Sequence, residues 1–248
     1  MLGYLLAGVA GISLGLLGGG GSILTVPILV YVLHIDSKIA VALSLAIVGI
    51  SALAGVIGHY RNGNIDLKLA IVFGGFALPG TFIGAQISRY ISGTTQLIIF
   101  ASIMIIAASF MLRGRKALEE SDVKLKDINY PLISISALGV GVITGLIGVG
   151  GGFLIVPALM FFTGISIKKA VGTSLFIIAF NSIFGFASYL NIVDVPWVFL
   201  GKFTSASVLG ILIGTRLVSY IPQALLKRIF AIFLIIMGMM ILYKNIYL

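Results

Sequence analysis

Glycine is the residue type in this chain best placed to do chemistry. Residues Gly15-Leu-Leu-Gly-Gly-Gly-Gly-Ser-Ile-Leu-Thr-Val-Pro27 return in the second half of the chain as Gly145-Leu-Ile-Gly-Val-Gly-Gly-Gly-Phe-Leu-Ile-Val-Pro157. Each run interrupts an apolar stretch where helix is least favoured, since glycine costs about 1 kcal/mol relative to alanine in a helix interior. A helix that restarts there opens with about four unpaired backbone N–H groups and roughly half a positive charge. Glycine lets a ligand approach that backbone closely and permits positive φ. The chemistry on offer is anion binding by amides, with no buried cation required. Gly19, Gly20, Gly21 and Ser22 would supply it in the first run, and Gly150, Gly151 and Gly152 in the second. Close helix packing is the competing use of glycine in a membrane, but four adjacent glycines exceed what packing needs. For Gly80 and Gly84, and for Gly210 and Gly214, packing is the expected role.

Polar residues within the apolar stretches are few, and such residues are functional candidates by default. Ser44 and Ser174 stand at equivalent positions of the repeat. With Thr173 and Asn181 they offer neutral hydrogen bonds to an oxyanion, although Ser and Thr in helices also bond their own i−4 carbonyl. Lys202, six residues past Pro196, is near enough to a membrane surface to snorkel and is a cationic candidate for guiding an anion. His59, beside Arg61 near the end of its segment, reads as an interfacial histidine, with a proton role as the alternative. Arg216 is expected to snorkel, and Trp197 to anchor an interface. All seven acids (Asp36, Asp66, Glu119, Glu120, Asp122, Asp127 and Asp194) fall in expected loops or at segment ends. No carboxylate is therefore available inside a span to relay protons or neutralise a sodium ion. Zero cysteines exclude a thiolate metal site, and no metal or cofactor is expected. There is no G-x-x-x-x-G-K-[ST], H-E-x-x-H or G-x-S-x-G, so an ATP motor and an intramembrane hydrolase are both poor readings.

The elements that must position these residues are membrane helices. A hydrophobic fraction of 60%, 9% charged residues and a mean hydropathy of +1.21 exclude a soluble globular domain. The start, Met-Leu-Gly-Tyr, has no basic n-region, so the first segment is expected to stay in the protein. A net charge of +9 is accounted for by positive cytoplasmic loops, without invoking nucleic acid. Apolar segments lie at about Leu2–Leu33, Ile39–Tyr60, Leu67–Ser88, Leu97–Leu112, Pro131–Thr163, Ala170–Leu190, Pro196–Val218 and Ala224–Tyr243. Six have the length of one crossing. The first of each half does not: Leu2–Leu33 would be about 48 Å long as helix, too long for one pass of a ~30 Å core and too short for two.

Charge arbitrates between one broken helix and a re-entrant hairpin. If both long segments are re-entrant, one side collects Arg61, Lys68, Arg113, Arg115, Lys116, Lys124, Lys126, Lys168, Lys169, Arg216, Lys227 and Arg228. The other side keeps Lys38, Arg89 and Lys244, with Lys202 inside a span. That asymmetry is what the positive-inside rule expects. Three crossings per half then invert the second copy relative to the first. The expectation is an all-α integral membrane protein of two inverted repeats, each a Gly-rich re-entrant helix hairpin plus three transmembrane helices. Residues 1–112 form the first repeat, 113–130 a cytoplasmic linker and 131–248 the second repeat, with both termini external.

The doubled pattern G-x-x-G-x-G-G-(G/S)-x-(L/I)-x-V-P, one copy opening each half, resembles the TauE/SafE sulfite exporter family over essentially the whole chain. That resemblance implies transport of sulfur-containing or organic anions such as sulfite, thiosulfate, sulfoacetate or other sulfonates. Ser22 against Gly152, and Val149 within the second run, depart mildly from the pattern. Read together, the residues favour an inner-membrane carrier that binds a small anion between two half-helix N-termini at mid-membrane and exports it. An anion channel or an uptake carrier for a small organic anion is the alternative. The expected partners are the anion and the lipid bilayer.

Overall fold

The structure is a computed structural model and describes residues 2–88, 90–91, 93–113, 130–147, 152–190 and 193–247. Among them every regular element is helical: α1 (Leu2–Leu17), α2 (Gly20–Pro27) with a π-helical turn (Ile28–Val32), α3 (Ser37–Arg61), α4 (Leu67–Ser88) and α5 (Gly93–Arg113). After the linker come α6 (Tyr130–Ile147), α7 (Gly152–Thr163), α8 (Ile167–Tyr189), α9 (Trp197–Tyr220) and α10 (Gln223–Tyr247). Residues 114–129, the bulk of the expected linker, lie outside the described residues.

The long first segment divides as its glycines dictate. Gly18 takes a left-handed φ of 72°, and the chain reverses there. Gly21 comes to lie against Ala10 and Leu14 of α1, and Leu33 against Gly3. The return limb therefore runs antiparallel to α1, and the segment is a hairpin whose ends share one side. At about 1.5 Å per residue α1 is some 24 Å long and the return limb about 19 Å, each short of a ~30 Å hydrocarbon core. The π turn follows Pro27 directly. Proline lacks the N–H that would bond the carbonyl four residues earlier and crowds that carbonyl with its ring; the wider turn accommodates both. Pro157 sits within α7 with no π-helical turn after it. His34 (φ 52°) and Gly164 (φ 71°), at equivalent positions of the two halves, close the two return limbs in the same left-handed turn.

Small residues decide how the long helices pack. Along the α1–α9 seam, a Cβ on Gly15 would lie 2.6 Å from the Ile211 carbonyl oxygen, and one on Gly214 would lie 2.5 Å from that of Ile12. Along the α4–α6 seam the same approaches recur at the equivalent positions of the other half: Gly145 faces the Thr81 carbonyl and Gly84 that of Val142. Gly80, Gly84, Gly210 and Gly214 thus do the packing expected of them. Without a hydrophobic drive between helices in lipid, such backbone proximity is what dispersion and weak polar contacts require. Both seams are parallel, since rising numbers face rising numbers. Helices α3 and α8 cross the centre antiparallel, with Gly49 against Ser182 and Ile183, Gly185 against Leu45, and Gly172 against His59.

Outward faces stay apolar. Leu5, Ile71, Phe82 and Val198 are each about two thirds or more exposed, a surface that water would punish and lipid accepts. Among the described residues, α3, α4, α8, α9 and α10 are long and apolar enough to cross a membrane. The sixth expected crossing, α5, has its apolar stretch confined to Ile98–Leu112, because it opens with the polar run Gly93-Thr94-Thr95-Gln96.

Candidate functional site

At the tip of the first hairpin the C-terminus of α1 and the N-terminus of α2 meet across Gly18 and Gly19. The N-cap position of α2 is Gly19 (φ −126°, ψ −14°), which brings no side chain to the first-turn amides. Gly20, Gly21 and Ser22 make up that first turn. Just beyond, the Thr25 hydroxyl donates to the Gly21 carbonyl at 2.8 Å, a back-bond that stiffens the turn and leaves its N–H groups untouched.

Other elements wall the tip closely. A Cβ on Gly18 would lie 2.5 Å from Ser174 Oγ and 3.0 Å from both Val156 Cγ2 and Val171 Cα. Conformation and space both demand glycine there. Val171 and Ser174 belong to the second and third turns of α8, roughly 6–10 Å from its first residue. Val156 is four residues into α7, about 6 Å past its start. The first tip therefore lies alongside α7, not end-on to it. Ser174 donates its hydrogen to the Val171 carbonyl at 2.8 Å, so it must swing off that carbonyl before it can donate to an anion.

The structure brings Gly18 against Ser174, and Gly19, Gly20 and Gly21 follow it directly in the chain, with Gly21 turned to Ala10 and Leu14 of α1. Gly152 opens α7, while Gly150 and Gly151 lie outside the described residues. The other candidates are dispersed. Ser44 is buried in α3, but Ser174 is level with the stretch near Ile57 across the antiparallel pair, about 20 Å along the helix axis from Ser44. The Thr173 hydroxyl accepts the Asp66 backbone N–H at 3.0 Å and so fastens the α3–α4 loop to α8. Asn181 faces an apolar groove of about 290 Å³ between α4 and α8, among Gly74, Leu78, Phe180 and Phe184. Lys202 is exposed on the first turns of α9. Trp197, at the start of α9, is exposed and edge-on to Phe186, and Arg216 is exposed as expected of a snorkelling side chain. Asp36, Asp66 and Asp194 fall in the loops that precede α3, α4 and α9, so no acid lies within a described helix.

A family model described as "Sulfite exporter TauE/SafE" matches residues 4–241. The chain belongs to the sulfite exporter TauE/SafE family. A "Probable membrane transporter protein" of Xylella fastidiosa is 31% identical over 242 residues, covering 96% of this chain and 93% of the relative. The "Probable membrane transporter protein YdhB" of Bacillus subtilis is 30% identical over 251 residues, covering 98% and 100%. A "Probable membrane transporter protein" of Haemophilus influenzae is 30% identical over 263 residues, covering 96% of each. No solved structure matches. As a TauE/SafE protein the chain is a multi-pass membrane transporter and not an enzyme.

One residue at the tip of this TauE/SafE hairpin is undervalued by the sequence. His59 sits in the last turn of α3, as an interfacial histidine would, yet its ring is fully buried within the protein. Its Nε2 lies 3.2 Å from the Gly15 carbonyl oxygen. The neighbouring Arg61 and the segment end mask it, because both are features of a side chain that reaches water. Gly172 is the readable signal: a Cβ there would lie 3.1 Å from His59 Cβ, so only glycine lets α8 approach the end of α3 so closely.

Proposed function

We propose that this transporter carries small anions, sulfur oxyanions and sulfonates first among them, on the backbone amides that open α2 and, by equivalence, α7. The observation that carries the reading is the tip itself. A helix N-terminus capped by glycine follows directly on Gly18, where no side chain fits beside the Ser174 hydroxyl, and no acid lies in any described helix. Helix N-termini favour anions through their unpaired N–H groups and dipole. The overlap of Gly18 with Val156 favours a site between the hairpins, a location typical of discontinuous helices in carriers. A thermal-shift screen of sulfite, thiosulfate, sulfoacetate, taurine and small carboxylates on purified protein tests it. Stabilisation by the sulfur anions, absent with uncharged analogues, is the expected result; no response to any of them removes the reading.

The architecture that goes with this function is a pair of inverted repeats, residues 1–112 and 131–248, joined by a cytoplasmic linker at 113–130, with both termini external. Support comes from the matching α1–α9 and α4–α6 seams, from the antiparallel α3–α8 pair, and from the division of Lys and Arg between loops. Reporter fusions at Glu120 and at Lys244 should report opposite sides of the membrane. The same side for both would mean that the first segments of each half cross fully.

Export fits the absence of acids from the described helices. An anion leaving an inside-negative cell moves downhill by about 2.3 kcal/mol per charge per 100 mV, so no coupling ion is needed. In proteoliposomes, efflux should follow an imposed membrane potential and persist when sodium and proton gradients are collapsed. Flux that stops with the proton gradient would replace this uniport with proton coupling.

A further inference from the structure

The hairpin tip sets an electrostatic problem that α2 alone does not solve. Where α2 begins, α1 ends, and a helix C-terminus carries unpaired carbonyls and roughly half a negative charge. An anion drawn to the α2 amides would meet those carbonyls within one turn of chain. Two of them are already occupied. The Leu14 carbonyl accepts the Gly18 N–H at 2.9 Å, and the Gly15 carbonyl lies 3.2 Å from His59 Nε2. A carbonyl can only accept, so Nε2 is the protonated nitrogen of this imidazole. Among the described residues Nδ1 has no partner. The backbone that carries the ring is closely packed: a Cβ on Gly172 would lie 3.1 Å from His59 Cβ, and the adjacent Gly58 packs on Thr215 of α9.

We propose that His59 is a positioning residue for the anion site, capping the carbonyl end of α1 through Nε2–H so that the tip presents donors and not bare acceptors. This rests on the reading of the tip as the anion site. The role needs a donor at the reach of Nε2 and does not need a titrating group. Glutamine supplies that donor at nearly the same reach; asparagine stops short of it; leucine fills the space and donates nothing.

The test measures thiosulfate binding to purified protein, and thiosulfate efflux from proteoliposomes, for wild type, His59→Gln, His59→Asn and His59→Leu. Glutamine should stay within about twofold of wild type in Kd and KM. Asparagine and leucine should raise both about tenfold, the upper end of the scale for one lost neutral hydrogen bond, with maximal flux changed far less. A purely structural role would instead lower the amount of folded protein and maximal flux together, with KM unmoved and no rescue by glutamine. Leucine binding as wild type, or glutamine binding as weakly as leucine, overturns the proposal. Should leucine prevent recovery of folded protein, the glutamine–asparagine contrast decides, and equal affinities overturn it. Wild type that binds none of the sulfur anions instead defeats the anion reading itself, and the role of His59 falls with it.

Discussion

Valine at Gly84 or at Gly145 should leave little folded protein in the membrane. At each position a side chain would be driven into backbone: the Val142 carbonyl and, at 2.7 Å, the Leu146 nitrogen for Gly84, and the Thr81 carbonyl for Gly145. Backbone cannot swing aside as a long side chain can, so the two helices must separate along the whole seam. Overpacking costs about 1–3 kcal/mol at one site and more where, as here, backbone is in the way, a large part of a typical stability of roughly 5–15 kcal/mol. The monodisperse fraction on size exclusion in mild detergent measures it. Gly75, Gly139 and Gly201 are the internal control, since a Cβ there meets nothing within 4 Å. Valine at those positions should leave the yield unchanged. Equal losses in both sets would mean that helix propensity, and not the seam, sets the tolerance.

Valine at Gly20 should have the opposite signature: normal yield and a transporter that no longer moves its anion. A β-branched side chain on the first residue of α2 stands over the amides that open the helix. We expect the initial rate of efflux to fall at least about a hundredfold, roughly 2.8 kcal/mol at about 1.4 kcal/mol per decade. Thermal stabilisation by the anion should vanish as well. If Gly20→Val instead lost folded protein as Gly84→Val does, the glycine run would be a packing device and the anion site would have to lie elsewhere.

The contrast between these two glycine sets shows what sequence carries and what it does not. Gly80 and Gly84 stand one helical turn apart, so periodicity alone puts them on one face, and their partnership with a neighbouring backbone is readable. The hairpin is readable too, because an apolar segment as long as Leu2–Leu33 with glycines at its centre fits neither one crossing nor two. Ser44 and Ser174 mark the limit. Their equivalence in the repeat is plain, but equivalence is a statement about chemical likeness within each half. Once α3 and α8 lie antiparallel, equivalent residues move to opposite ends of the pair, and only Ser174 reaches the first tip. Thr173 escapes a sequence reading for a related reason: its hydroxyl serves the Asp66 amide in the other half, a long-range pairing with no local signature. The depth of the tip likewise depends on how α7 and α8 stand beside it, which no feature of the segment Leu2–Leu33 encodes.

The two parallel seams also set an order of assembly. Helix α6 finds its partner α4 already synthesised, so it can dock as it leaves the ribosome. Helix α1 ends at Leu17 and must wait for α9, which does not begin until Trp197. At about 5–20 residues per second that wait is on the order of 10–40 s. During it the glycine face of α1 has no partner seam, and the N-terminal half is open to chaperones and proteases. A chain truncated before Trp197 leaves its first helix without the seam partner it packs on, and the chain thus folds in two unequal stages.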